Sequence, residues 1–167
     1  MTRTTAQIIF FAYVGWGVLL QGCSSLPPVQ SVGTPTVVQQ SAPLLSPGNE
    51  IAMRAISLLG APYKWGGSGP TQFDCSGLVR FVYGEIGVEV PRTAAEQYSA
   101  ARRINLKDIA PGDLLFFRIS GRRISHVAIY AGDGRFIHAP QTGRPVELRT
   151  MDDEFYRPRL VSAGRFF

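Results

Sequence analysis

The 167 residues carry 17 Lys and Arg against 12 Asp and Glu, a net charge of +5, and 45% of them are hydrophobic. The excess base is almost entirely arginine, and Arg102, Arg103, Arg118, Arg122 and Arg123 fall close together in sequence, which suits an acidic polymer as partner. No internal repeat and no second module is visible, so the pattern is that of one globular domain behind an N-terminal extension.

Residues 1–22 read as a signal peptide. Arg3 supplies the positive start, and Ile8 to Leu20 is an apolar run of thirteen residues, too short to span a bilayer. The run closes on Leu20-Gln21-Gly22-Cys23, which resembles the bacterial lipobox, whose cysteine is acylated and becomes the new N-terminus after cleavage. Ser24 stands where an Asp would favour the inner membrane. The expected location is therefore the outer membrane of a Gram-negative cell, anchored through lipid on Cys23 and facing the periplasm. A lipidated Cys23 leaves Cys75, the other cysteine, without a disulfide partner. Residues 23–47 form a tether with five prolines among Ser, Thr, Gln and Val and no charge, and 48–167 remain as the folded domain. Without residues 1–22 the charge balance is +4. Nucleic acid, the generic partner of a basic surface, is not expected of an exported chain that meets the carboxylate-rich cell wall.

Within the domain, Ile51, Ala52, Ala55, Leu58 and Leu59 recur at helical spacing ahead of Gly60, which predicts a first helix packed in the core. Residues 61–73 form a Gly-rich aromatic loop carrying Tyr63, Trp65, Gly66 and Gly67; it lacks the Lys-Ser/Thr ending of a phosphate loop. A second helix is predicted from Cys75 to about Glu85, with Asp74 as N-cap and Leu78, Val79 and Val82 on its buried face. Cys75 would then lie among unpaired N–H groups at the positive end of the dipole. With an imidazolium beside it, a thiol that titrates near ~8.5 when free is expected to be ionised at neutral pH. Thr93-Ala94-Ala95-Glu96 is a capping box that starts a third helix.

After Pro111-Gly112 the pattern changes to short strands at 113–118, 126–131, 135–139, 146–149 and 159–163, separated by Gly and Pro turns. Three helices before a five-stranded antiparallel sheet make an α+β domain. The chain's two histidines, His126 and His138, fall on the second and third strands. Across the Asp133-Gly134 hairpin, a two-residue loop would put them on opposite faces. A three-residue loop pairs 131 with 135, sets His138 against Ala128, and leaves His126 as its diagonal neighbour at roughly 7 Å. A bulged turn Gly132-Asp133-Gly134 with Gly134 left-handed is therefore expected. One free thiol and two coupled imidazoles indicate a cysteine hydrolase. A metal site is disfavoured, because the Asp-Cys-Ser-Gly context has no metal-ligand spacing, and no cofactor is expected.

Asp74-Cys75-Ser76-Gly77-Leu78-Val79, Pro91-Arg92-Thr93, Pro111-Gly112-Asp113-Leu114, His126-Val127-Ala128-Ile129-Tyr130 and His138-Ala139 together resemble the NlpC family of papain-like cell-wall cysteine peptidases. The likeness covers residues 50 to 163, and the lipobox with its tether is most similar to that family's murein endopeptidase lipoproteins. The resemblance implies a papain-like fold, Cys75 as nucleophile, His126 as its base, His138 as the third, orienting residue, and Tyr63 assisting near the oxyanion. The implied substrate is peptidoglycan, cut at a peptide bond of the stem or cross-link, either the D-alanyl cross-link or the γ-D-glutamyl bond. The alternatives are a cell-wall amidase of the same fold and a catalytically silent wall-binding lipoprotein. Asp74 and Ser76, flanking the thiol, are candidates for substrate contact, as are Trp65, Arg80 and Arg92. A monomer is expected.

Overall fold

The computed structural model describes residues 45–167. The expected signal peptide, Cys23 and nearly all of the tether lie outside the described residues. Helix α1 (Pro47–Ser57) starts on the N-cap Ser46, whose hydroxyl accepts from the Asn49 N–H, with Pro47 at the start of the helix, where a missing N–H costs nothing. It buries Ile51, Ala52 and Ala55 as the spacing predicts, but it ends before Leu58 and Leu59. Leu59 is exposed, because the chain turns away at Gly60 with φ 88°. Helix α2 (Cys75–Gly84) ends one residue earlier than expected and buries Leu78, Val79, Val82 and Tyr83. It packs on α1 and on the sheet. Helix α3 (Ala94–Ala100) opens with the predicted capping box, in which Thr93 and Glu96 bond reciprocally.

The sheet has six antiparallel strands rather than five: β1 (Arg102–Ile104), β2 (Leu114–Phe117), β3 (His126–Gly132), β4 (Arg135–His138), β5 (Glu147–Thr150) and β6 (Leu160–Arg165). Their spatial order is β1-β6-β2-β3-β4-β5. The strand missed in the sequence, β1, is three residues long, carries two exposed arginines and forms the edge beside β6. Shortness and charge are how a sheet edge avoids further pairing, and they also erase the alternation that announces a strand.

Strand β2, Leu114-Leu115-Phe116-Phe117, is buried throughout because both faces of the sheet are covered. Leu114 and Phe116 join Val127, Ile129 and Ile137 beneath the helices. Leu115 and Phe117 point the other way, into a second cluster with Ala128, Phe136, Tyr156 and Ala163. The histidine side chains follow the parity of this second face, where their rings meet Phe117, Phe136 and Tyr156.

The β3–β4 hairpin reaches the expected alignment by a different device. Gly132 pairs with Arg135, so the turn is a two-residue one, Asp133-Gly134, with φ of 51° and 67°. Two positive φ values suit the right-handed strand twist. The extra residue sits inside β3: Tyr130 pairs with Phe136 and Ile129 with Ile137, so Ala131 bulges between Tyr130 and Gly132. The three-residue turn was thus wrong in place and right in effect, since either insertion flips the parity and carries both histidines to one face.

Candidate active site

Asp74 organises the turn that carries the thiol. It is the N-cap of α2 with extended backbone, and its Oδ1 accepts from the Gly77 N–H at 2.7 Å while Oδ2 accepts from the Gly66 N–H at 3.0 Å. The Asp74 N–H donates in return to the Gly67 carbonyl, so the Gly-rich loop is stitched to the helix start. Gly77 approaches that carbonyl so closely that a Cβ at 77 would overlap its oxygen. Arg92 closes the cluster: Nη1 lies 3.0 Å from both Asp74 Oδ1 and Ser76 Oγ, and Nη2 lies 2.5 Å from Asp74 Oδ2. Asp74 and Ser76 are buried and border the cavity, but these contacts already occupy their polar atoms. The geometry makes them braces of the nucleophile's turn at the cavity wall. Arg80 lies elsewhere, on a separate depression with Gly84 and Val90.

His126 opens β3 and His138 closes β4, both buried. His126 Nε2 lies 2.9 Å from His138 Nδ1, and the rings stand nearly perpendicular at 83°. Tyr156 packs edge to face on His138 with centroids 4.9 Å apart. With Nε2 engaged, His126 keeps Nδ1 free of His138, and the Cys75 thiol lines the same cavity.

Burial opposes the expected thiolate. Burial pushes the Cys75 thiol up and Asp74 raises it further, against the backbone N–H groups of Val127, Ser76 and Cys75, which favour the anion. Burial, with His138 alongside, pushes His126 down to about 3. Burial, then Arg149 and Arg144, push His138 down to about 3 as well. A helix terminus offers a neighbouring charge ~0.3–1 kcal/mol and at most ~2 kcal/mol. Desolvating an ion costs several kcal/mol, so burial wins. Burial thus favours a neutral thiol beside two neutral imidazoles.

Two cavities, of about 460 and about 480 Å³, meet at Cys75 and share Tyr63, Trp65 and Ser125. The thiol thus stands midway along a groove with room on both sides. Tyr63 is near enough to the sulfur that charge on Cys75 helps hold its hydroxyl above the usual phenol range, after burial. Trp65 is 85% exposed at the junction. The first cavity also brings in residues that sequence reasoning passed over: Tyr156, Arg144 and Arg149. Behind them Glu147 pairs directly across the β4–β5 ladder with His138. The eight residues between these strands leave their register open, so no sequence signal singles out Glu147.

The NlpC/P60 family model matches residues 60–165. Murein DD-endopeptidase MepH of Escherichia coli (strain K12) is 35% identical over 143 residues, covering 82% of this chain and 53% of the relative. Bifunctional muramidase/DL-endopeptidase CwlT of Bacillus subtilis (strain 168) is 41% identical over 118 residues, 69% of this chain and 35% of that protein. Gamma-D-glutamyl-L-lysine dipeptidyl-peptidase of the same organism is 36% identical over 120 residues, 71% and 40% of the two chains. The chain spans about half or less of the length of these curated relatives. Among solved structures, NlpC2 from Trichomonas vaginalis superposes with a TM-score of 0.69 at 32% identity, over 75% of this chain and 49% of that one. The NlpC/p60 domain of the peptidoglycan hydrolase SagA gives 0.62 at 36% identity, over 71% and 97%. With thiol helix, antiparallel sheet and matched sequence all in agreement, the chain belongs to the NlpC/P60 family.

Proposed function

We propose that this chain is a cysteine-type peptidoglycan endopeptidase that hydrolyses a peptide bond in the wall's stem or cross-link. The observation that carries the reading is that Cys75 and His126 line one cavity of a two-sided groove, with His138 bonded to His126 behind it at 2.9 Å. A substrate that extends past the scissile bond in both directions needs such a groove. The names of the relatives point to the same polymer, with cuts in the cross-link and within the stem.

The mechanism follows from the neutral resting pair. As substrate enters, His126 Nδ1 takes the thiol proton while sulfur attacks the peptide carbonyl carbon. The two titrations are coupled, because charge on sulfur raises the imidazole's hold on the proton. His138 holds Nε2 of His126 and fixes its ring, as a carboxylate does in Ser-His-Asp enzymes. The oxyanion is received by the Cys75 backbone N–H and the Tyr63 hydroxyl, each such donor being worth about 3 kcal/mol. The C–N bond breaks, His126 returns the proton to the leaving amine, and water hydrolyses the thioester.

In the cell, a lipid on Cys23 would hold a monomeric domain at the outer membrane with the groove facing the wall. Palmitate labelling that is lost in Cys23→Ser supports the anchor, and labelling that persists contradicts it. Digestion of purified peptidoglycan followed by mass spectrometry of the soluble fragments tests the activity and identifies the bond. Monomers released from dimers mark the cross-link, truncated stems mark the bond within one stem, and an undigested wall overturns the proposal.

A further inference from the structure

His138 Nε2 is buried and makes no hydrogen bond among the described residues. Glu147 Oε1 lies 3.3 Å from it, off hydrogen-bond alignment. An N–H left unmatched at such depth costs about 1–3 kcal/mol, more than a small side-chain rotation. The carboxylate is not free to wander. Arg144 holds both of its oxygens, at 2.9 and 2.8 Å, and Arg149 Nε holds Oε1 at 2.9 Å. Arg149 in turn reaches Asp153 at 3.7 Å.

We infer that Glu147 is a positioning residue that fixes the tautomer of His138, a role that rests on the endopeptidase reading given above. His138 Nε2–H donates to Glu147 Oε1, which leaves His138 Nδ1 as a lone pair. That lone pair accepts the His126 Nε2–H, and His126 Nδ1 is left bare to receive the Cys75 proton. The opposite tautomer of His138 would put a proton on Nδ1, turn His126 around to Nε2 as acceptor, and place an N–H instead of a lone pair before the thiol. A neutral imidazole orients a neighbour only if its own proton is fixed, and Glu147 is the group placed to fix it. The groups facing His138 are His126 from β3, Glu147 and Arg149 from β5, Arg144 from the preceding loop, and Tyr156. Both arginines are already matched to Glu147, and Asp153 is shared by Arg149, so the carboxylate acts as an acceptor without protonating the ring.

Glu147→Gln and Glu147→Ala separate acceptor from charge. Both remove the charge, whereas only Gln keeps an oxygen opposite Nε2. Nitrogen-15 spectra of the histidine rings at pH 7 should show His138 as the Nε2–H tautomer in the parent and in Glu147→Gln, and as a mixture in Glu147→Ala. On a soluble wall peptide, Glu147→Ala should lower kcat on the order of tenfold with KM unchanged, well short of the ~10⁴ lost when a serine triad's orienting carboxylate becomes an amide. Glu147→Gln should recover most of that loss. An unchanged His138 tautomer in Glu147→Ala, or equal losses in the two variants, would overturn the assignment. The ring spectra need no substrate, so they decide the role of Glu147 even if the wall peptide is not cut.

Discussion

A cysteine at a helix N-terminus invites the expectation of a standing thiolate, and at Cys75 burial works against it. The same turn that aims backbone N–H groups at the sulfur also buries it, with Asp74 alongside. His126, pushed down to about 3, offers no imidazolium to compensate. On the proposed mechanism, deprotonation is then an event of catalysis rather than a property of the resting site. With Cys23 replaced by Ser, so that Cys75 is the sole thiol, the rate of iodoacetamide alkylation should climb with pH through an inflection above the ~8.5 of free cysteine. A rate already on its plateau at pH 5 would mean that thiolate and imidazolium form a stable pair. Tyr63 belongs to the same scale: its hydroxyl remains protonated through the working range and keeps its proton for the oxyanion.

At the scale of elements, the site depends on how a loop and a helix are locked together. Gly77 allows α2 to begin against the Gly67 carbonyl, and Gly77→Ala would drive a methyl into backbone that cannot yield. The expected result is a loss of about 1–3 kcal/mol in urea unfolding and a displaced thiol with little hydrolysis. A variant of full stability and activity would show that the contact is dispensable. How far the sequence reveals such arrangements follows from how local each signal is. The N-cap Asp74, the helix face of Leu78, Val79 and Val82, and the Thr93–Glu96 box are set within one or two turns and read directly. The hairpin is intermediate: the demand that two histidines share a face fixes the parity, yet nothing local says whether Ala131 or the turn supplies the extra residue. Arg92 bracing Asp74 across 18 positions, and Glu147 opposite His138, depend on register and packing far along the chain, and no local pattern encodes them. Strand β1 escapes because two of its three side chains are exposed arginines at the sheet edge and only Ile104 reaches the core.

For the whole molecule, placing two neutral histidines inside the sheet's second face makes acid its weak side. Their pKa values are lowered in the folded state, so the unfolded chain binds more protons between the ordinary value near ~6.5 and about 3. The stability from keeping them neutral is complete above ~6.5 and is lost as pH falls toward 3. Urea midpoints should fall between pH 7 and pH 4 by an amount worth a few kcal/mol, and replacing His138 with Asn should flatten that decline. An acid response identical in the variant would place the sensitivity elsewhere than in this ring. The fold as a whole brings one sulfur and a pair of bonded imidazoles to one groove, and the proposal that this site cuts the wall is open to a direct measurement. Purified peptidoglycan incubated with the parent protein and with Cys75→Ala, at equal concentration and verified equal stability, should yield cleaved wall fragments, uncrosslinked monomers or shortened stems, only with the parent. Cleavage by Cys75→Ala at the parental rate would contradict the account.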